Sequence, residues 1–439
     1  MQTIPELIGL DSLAGTIRIP PEWDVPLTER VRRLIDTAPF RRLAKIGQLG
    51  LVPLIYPAAH HKRFEHSLGV YRLALLVLKR LLHDKRFREI VTKKDAELLI
   101  ATALLHDIGH APFCHPIEDI RLENFPRHEI WAQHQIEQGE IASLLQDDWE
   151  IDPKNVTKLL KGETDGQPVL KLLGSILSGP IDIDKMDYLY RDSLHAGVPY
   201  GRNLDQSRLI ASLCVNEAGD GLAITEKGKT AAELMVFARY IMFSEVYWHH
   251  AVRSATAMVQ RLFAEIYRSG NIDINRFFQF SDDEAIQFFR EQAAHLAGTP
   301  ALAEELFGTV RSLYKRVAQF SLLEQPEIYR KLAGKPYHVL CELSDQLSEQ
   351  ISKRCPDCPQ PAVLIDSPPV EKEVEIKIDV YYPKEKRYRP LDEVSPVVRA
   401  MAKEQFDDIV KRVRVFAHPQ LAAQIDPPLD WTAMLEQVY

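Results

Sequence analysis

The sequence predicts a mostly α-helical protein. A large helical domain with one small β-hairpin covers residues 1–345, and a smaller α+β domain covers residues 346–439. Three observations carry this reading. Apolar residues recur near a 3.6-residue period through much of the chain, a proline-rich stretch breaks the pattern near residue 355, and a two-residue alternation follows it. A chain of 439 residues is long for one core, so one large and one smaller domain is the expectation.

The elements follow in order. "LTERVRRLIDTAPFRRLAKI" (27–46) reads as a helix, with Val31, Leu34, Ile35, Leu43 and Ile46 on one side. "EHSLGVYRLALLVLKRLLH" (65–83) is a second helix, apolar enough to be mostly buried, and "DAELLIATALLHD" (95–107) is a third. Residues 128–147 and 154–161 read as further helices. Between 207 and 228, two apolar runs flank Gly219-Asp220-Gly221, a hairpin signature, and residues 230–267 form a long helical stretch. "CPDCPQPAVLIDSPP" (355–369) is a connection. Beyond it Val374, Ile376, Ile378 and Val380 alternate as a half-buried strand, and residues 398–416 read as a helix running into a strand.

Composition narrows the class. Hydrophobic residues make up 46% and charged residues 26%, with a formal charge of −8, so no basic surplus points to nucleic acid or a membrane surface. The start "MQTIPELIGLDSLAG" does not read as a signal peptide, and no uncharged apolar run approaches the roughly 18 residues that span a bilayer. Five cysteines do not make a disulfide framework. A cytoplasmic protein is expected.

The chemistry concentrates in "ATALLHDIGHAPFCH" (101–115). Gly109 reads as a helix stop, which sets His106 and Asp107 in the last helical turn, able to share one ion. Imidazole plus carboxylate suits Mn, Fe, Ni or Zn better than Ca. His66 in "RFEHSLGV" and Asp184 in "PIDIDKMDYLYRD" are the candidates for further ligands, since a carboxylate on a partly apolar helix wants a cation. Taken singly, each of these residues reads more readily as a core histidine, a chance pair or a capped helix start.

The flanking residues change that. "HHKRFEHSLGV", "LLHDIGHAPFCH", "RHEIW", "DIDKMDYLYRDSLHAGVPYG" and "RYIMFSEVYWHHAVRSA" occur in this order. Together they resemble the HD-domain phosphohydrolases, and within them the branch of bacterial and animal deoxynucleoside triphosphate triphosphohydrolases. The resemblance implies an HD helical core in which His66, His106, Asp107 and Asp184 bind one divalent metal per subunit (Mn, Fe, Ni, Zn or Mg). It puts His110, His115 and His128 on the phosphate side of the pocket, with Glu129 able to orient a neighbouring histidine. It makes Arg63 and Lys185 phosphate clamps, Tyr188 a phosphate contact, and Gln48 and Asp192 holders of the sugar 3′-hydroxyl. It sets Tyr247 under the deoxyribose, against any 2′-hydroxyl. Without the motifs, Arg63 and Lys185 read as surface ion pairs, and the tyrosines as core.

The implied function is metal-dependent hydrolysis of dNTPs to deoxynucleoside and tripolyphosphate by a homo-oligomer, dimer or tetramer. The alternatives are an HD phosphohydrolase acting on a monophosphate or signalling nucleotide, and a nucleotide-sensing regulator with little turnover. The resemblance also predicts no activation by GTP. The animal enzyme's guanine-nucleotide pocket needs an arginine where this chain has Ala44 and a lysine near Leu7, although Asp36 is kept, and Arg41 and Arg42 leave a different nucleotide site open. Cys355 and Cys358 form a lone CxxC, read as a turn rather than half a zinc site, and "KEKRYR" (384–389) as a charged hairpin end.

Overall fold

The computed structural model describes residues 1, 3–12, 15–352, 355–369, 377–404, 410–425 and 429–439. Its centre is a helix pair. Lys93–Leu105 starts in a capping box, where Thr92 and Asp95 satisfy each other's backbone N–H groups, and every residue from Ala96 to Leu105 is buried. It packs along Arg63–Leu81, and Ile183–His195 crosses that helix in turn. The crossing is close because of Gly69: a Cβ there would stand 1.9 Å from Asp187 Oδ1 and 2.4 Å from Arg191 Nη2. Glycine at this point lets an acid and a base reach the inside of the helix pair.

Three small sheets accompany the helices among the described residues, one of them a hairpin the sequence did not predict, Thr16–Ile19 paired antiparallel with Trp23–Pro26. Leu213–Val215 and Leu222–Thr225 form the expected hairpin, whose turn is set by Asn216. Its side-chain oxygen accepts from the N–H groups of Gly219, Asp220 and Gly221. Asp379–Tyr382 then joins Leu222–Thr225 in parallel, and Arg387–Pro390 pairs with it antiparallel. Strands from the last quarter of the chain therefore extend the hairpin, and Ile378, Val380, Leu391 and Val398 sit in the same apolar cluster as the helices Arg63–Leu81 and Lys93–Leu105. A three-stranded antiparallel sheet orders Lys315–Phe320, Val413–Ala417 and Val363–Asp366. It backs onto the long helix His250–Arg268 on one side and a separate C-terminal cluster around Leu347, Val413 and Trp431 on the other. No helix among the described residues is long and apolar enough to cross a membrane.

Several elements differ from their sequence expectation, each for a local reason. The helix expected over 27–46 breaks at Asp36: Thr37 is extended and Pro39 opens a new turn, giving Glu29–Ile35, Ala38–Arg42 and a short 3₁₀ turn. Residues 128–147 split at the extended Gln138 into His128–Glu137 and Gly139–Asp147, and Gly139, with φ 66°, makes the change of direction. The long stretch 230–267 is interrupted by a π-helical turn, Met242–Tyr247, and restarts at His250. In the first hairpin run, Gln206–Ser212 is helix and only Leu213–Val215 is strand. Val374 and Ile376 lie outside the described residues, and the strand begins at Asp379, just after Ile378. The segment 398–416 holds the end of a helix, Pro396–Glu404, and the strand Val413–Ala417, with residues 405–409 outside the described set.

Gly109 reaches its place by a different route from the one its sequence suggests. The helix ends at Leu105, and Gly109 is not in a left-handed conformation. A Cβ on it would lie 2.1 Å from the His128 carbonyl oxygen and 2.5 Å from the Ala132 nitrogen, both backbone atoms of the helix His128–Glu137. Gly109→Ala should therefore force that helix outward and cost about 1–3 kcal/mol, the usual range for overpacking. Denaturant unfolding measures this, and a wild-type midpoint would show that the helix has room to yield.

Candidate metal centre and cavity

The turn after Leu105 does the positioning. His106 takes the helix C-cap, and the His110 N–H donates to the Asp107 carbonyl at 3.1 Å. Arg42 pins the turn from outside, donating to the carbonyls of Ile108 at 3.1 Å and His110 at 2.8 Å. Phe113 then adopts a left-handed conformation, φ 52°, which launches the helix Cys114–Asp119 back toward the turn.

The four expected metal ligands lie together. His66 Nε2 is 3.0 Å from Asp184 Oδ1 and 3.1 Å from His106 Nε2. Asp107 stands 3.5 Å from His106 Nε2 through Oδ1 and 3.9 Å from His66 Nε2 through Oδ2. Their hydrogen bonds assign the tautomers. His106 Nδ1 is 2.9 Å from the Ala103 carbonyl, which only accepts, so this nitrogen carries the proton. His66 Nδ1 donates to Asp187 at 2.8 Å. Two Nε2 lone pairs thus face each other at 3.1 Å, an arrangement that needs a cation between them. Without a metal the cation is a proton: burial opposes charging His66, but Asp184 and Asp187 outweigh it and lift its pKa to about 10. His66, His106 and Asp184 offer ligand atoms within 4.8 Å of one another, and with the Asp107 carboxylate beside the histidines this donor set fits a divalent transition metal.

Behind the ligands runs a chain of charges that sequence reading missed. Asp187 takes two hydrogen bonds from Arg191, both 2.8 Å, and Arg191 reaches on to Glu65, which also accepts from His195 at 2.9 Å. The signal was present: Asp184, Asp187 and Arg191 are spaced three and four apart, which places them on one helix face.

His110, His115 and His128 form a second cluster, with ring centroids 4.0 Å apart for His110–His128, 5.1 Å for His110–His115 and 5.8 Å for His115–His128. The carboxylate that hydrogen-bonds His128 is Glu118, 2.9 Å from Nδ1, while Glu129 Oε2 stands 3.8 Å from the same nitrogen. Glu118, a residue that sequence reading did not single out, lies one helical turn beyond Cys114. The rings differ in charge. Burial, helped by Arg63, pushes His110 well below the ordinary histidine value and His115 down to about 4. Burial also opposes charge on His128, but Glu118 prevails and raises it.

A cavity of about 450 Å³ opens beside both clusters. Gln48, Arg63, Lys185, Tyr188, Asp192 and Tyr247 all line it, together with Asp184 and His115. Its cations are held by carboxylates: Arg63 Nη1 donates to Asp107 at 2.8 Å, and Lys185 Nζ to Asp182 at 2.6 Å. Asp192 accepts from the Tyr247 hydroxyl at 2.6 Å and lies 2.9 Å from His61 Nε2. The π-helical turn places Phe243 and Tyr247 on the wall. Arg239 and Arg253 line it too, and Arg253 is anchored on Asp366 of the distant strand Val363–Asp366. Elsewhere Leu7 is core, Arg42 is committed to backbone carbonyls, and Arg41 lies exposed over the Phe64 ring.

The HD domain model matches residues 63–192, and the HD associated region model matches residues 204–430. The uncharacterized protein MJ1154 of Methanocaldococcus jannaschii is 30% identical over 381 residues, 86% of this chain and 74% of that one. Deoxynucleoside triphosphate triphosphohydrolase SAMHD1 of Gallus gallus is 31% identical over 262 residues, 53% of this chain and 42% of the animal protein, so the match spans less than half of that enzyme. A crystal structure of a hypothetical protein from Aquifex aeolicus superimposes with a TM-score of 0.70 at 28% identity, over 97% of this chain and 99% of that one.

Two variants test the centre. Asp107→Ala removes a ligand carboxylate, and metal content per chain should fall; full occupancy in the variant would exclude Asp107 from the site. Asp187→Asn keeps every ligand but weakens the acceptor behind His66, and should lower metal affinity about 10- to 100-fold, the usual effect of losing such a partner. Competition with a chromophoric chelator reads both.

Proposed function

The chain belongs to the HD domain family, and from that premise we propose that it hydrolyses dNTPs to a deoxynucleoside and tripolyphosphate. The observation that carries this reading is the cavity itself. Asp184 of the expected ligand set and His115 line it, Arg63 and Lys185 stand on its wall, and Asp192 is tied there to Tyr247. Two carboxylate-held cations suit a polyanion better than a monophosphate, because a triphosphate spreads its charge over more oxygens.

His66, His106, Asp107 and Asp184 hold the metal, which when bound polarises a phosphoryl oxygen or a water. The chain's own residues supply the rest. Arg63 and Lys185 bind non-bridging oxygens and offset the charge that builds as water attacks the α-phosphorus. Tyr188 contacts the phosphates from the same wall. As the bond from phosphorus to the 5′ oxygen breaks, that oxygen needs a proton. His128 is the ring of its cluster whose charged form is favoured, and it is the donor in this reading. His110 and His115, held neutral, keep the pocket open to phosphate. Gln48 and Asp192 hold the 3′-hydroxyl. The Tyr247 ring, fixed by its bond to Asp192, occupies the space that a 2′-hydroxyl would need.

The test is product analysis. Manganese-loaded protein is incubated with each dNTP and NTP, and products are separated by anion exchange. Tripolyphosphate and deoxynucleoside are expected; orthophosphate released from a monophosphate, or tight binding without turnover, would replace this reading. Light scattering on the same sample checks the expected homo-oligomer. Tyr247→Ala should raise NTP turnover relative to dNTP by roughly 10- to 200-fold, the discrimination a steric wall against one small group provides. An unchanged ratio would remove Tyr247 from sugar selection.

A further inference from the structure

We infer that the protein carries a second metal site, built from His110, Cys114 and His128 and suited to a soft divalent ion such as zinc or cadmium. A ring nitrogen of each histidine and the Cys114 sulfur lie within 4.8 Å of one another. Zinc bonds of about 2.0–2.3 Å place tetrahedral ligands roughly 3.3–3.8 Å apart, so a contraction of about an ångström closes the site.

The rings are already held as metal ligands usually are. His128 Nδ1 is anchored by Glu118 at 2.9 Å, and His110 Nδ1 lies 3.2 Å from the Asp107 carbonyl. His110 thereby keeps a lone pair on Nε2, while His128, whose charged form Glu118 favours, gives up its Nε2 proton to solvent as the ion binds, with the carboxylate behind it. Cys114 is buried, yet it lies on the cavity wall, so an ion arrives from the cavity rather than through the core. A thiolate and the nearby Glu118 carboxylate offset the incoming dication, against Arg63 and against the burial that holds the free thiol's pKa well up. As the sulfur–metal bond forms, the thiol proton leaves to solvent.

The donor sets divide the two sites by softness. His66, His106, Asp107 and Asp184 offer nitrogen and oxygen only, which admits the harder ions; a sulfur with two imidazoles selects zinc or cadmium over manganese or magnesium. Cys355 and Cys358 make a poorer alternative, because no third ligand joins them among the described residues. Nothing in the proposed hydrolysis uses Cys114. The consequence for activity, which rests on that proposed hydrolysis, is inhibition: an ion on His110 and His128 takes the nitrogen that would carry the transferred proton.

The experiment separates binding from activity. Manganese-loaded Cys355→Ser/Cys358→Ser protein is titrated with cadmium chloride, and near-ultraviolet absorption follows thiolate–cadmium bonds. One equivalent should saturate the band, and adding Cys114→Ser or, with different packing, Cys114→Ala should abolish it. No band in the double variant, or a band that survives loss of Cys114, overturns the site. For activity, with each protein normalised to its own zinc-free rate, the zinc concentration giving half-inhibition of dNTP hydrolysis should be at least tenfold higher for Cys114→Ser than for the parent protein. An unchanged value overturns the inhibitory role. A protein that binds cadmium through Cys114 but turns over no dNTP leaves the site standing and removes the proposed reaction instead.

Discussion

Two imidazole lone pairs facing each other at 3.1 Å are the constraint around which this fold is arranged. Left alone they repel. They are forced together because each Nδ1 is committed elsewhere, His106 to its own helix and His66 to Asp187. The commitment of His66 depends on Asp187 reaching the inside of a helix pair, which depends on Gly69 having no side chain. Asp187 in turn is a buried anion, and a buried anion needs a cation. Arg191 supplies it, and Glu65 and His195 carry the charge outward. A cation requirement at one point is thus met by a packing decision at another.

The second cluster shows the opposite electrostatics a short distance away. Around His66 the acids outnumber the bases, and the imidazole is held charged or metallated. Around His110 and His115, burial and Arg63 hold the rings neutral, and only His128, backed by Glu118, favours its charged form. Pushing like groups apart in proton affinity is what would let one pocket hold both the proposed ligand set and the proposed proton donor. Arg63 links the two, since it is paired with Asp107 of the first cluster and bears on the rings of the second.

The C-terminal third is part of this machinery. Asp366, on a strand far along the chain, anchors Arg253 at the cavity wall, while Arg414 on the neighbouring strand donates to the Trp248 carbonyl at the end of the π-helical turn. The turn that presents Tyr247 and Phe243 is therefore held from the C-terminal sheet. Strands 379–382 and 387–390 meanwhile complete the hairpin sheet.

The sequence by itself determined the helical class, the positions of the principal helices, and the grouping of the histidines and acids that the cavity brings together. Helix periodicity and the ordered motifs are local, and local patterns survive in one dimension. It missed what depends on partners distant in the chain. Gly109 reads as a stop signal, but its smallness serves the helix His128–Glu137 lying against it. Glu118 rather than Glu129 hydrogen-bonds His128, because the left-handed Phe113 turns its helix back. The π-helical turn interrupts a stretch whose apolar pattern runs straight through. That Asp187 and Arg191 stand behind His66, and that Asp366 fixes an arginine on the cavity wall, follows only once the helices have crossed. A side chain's partner is set by which backbones approach, and a sequence records the side chain without the approach.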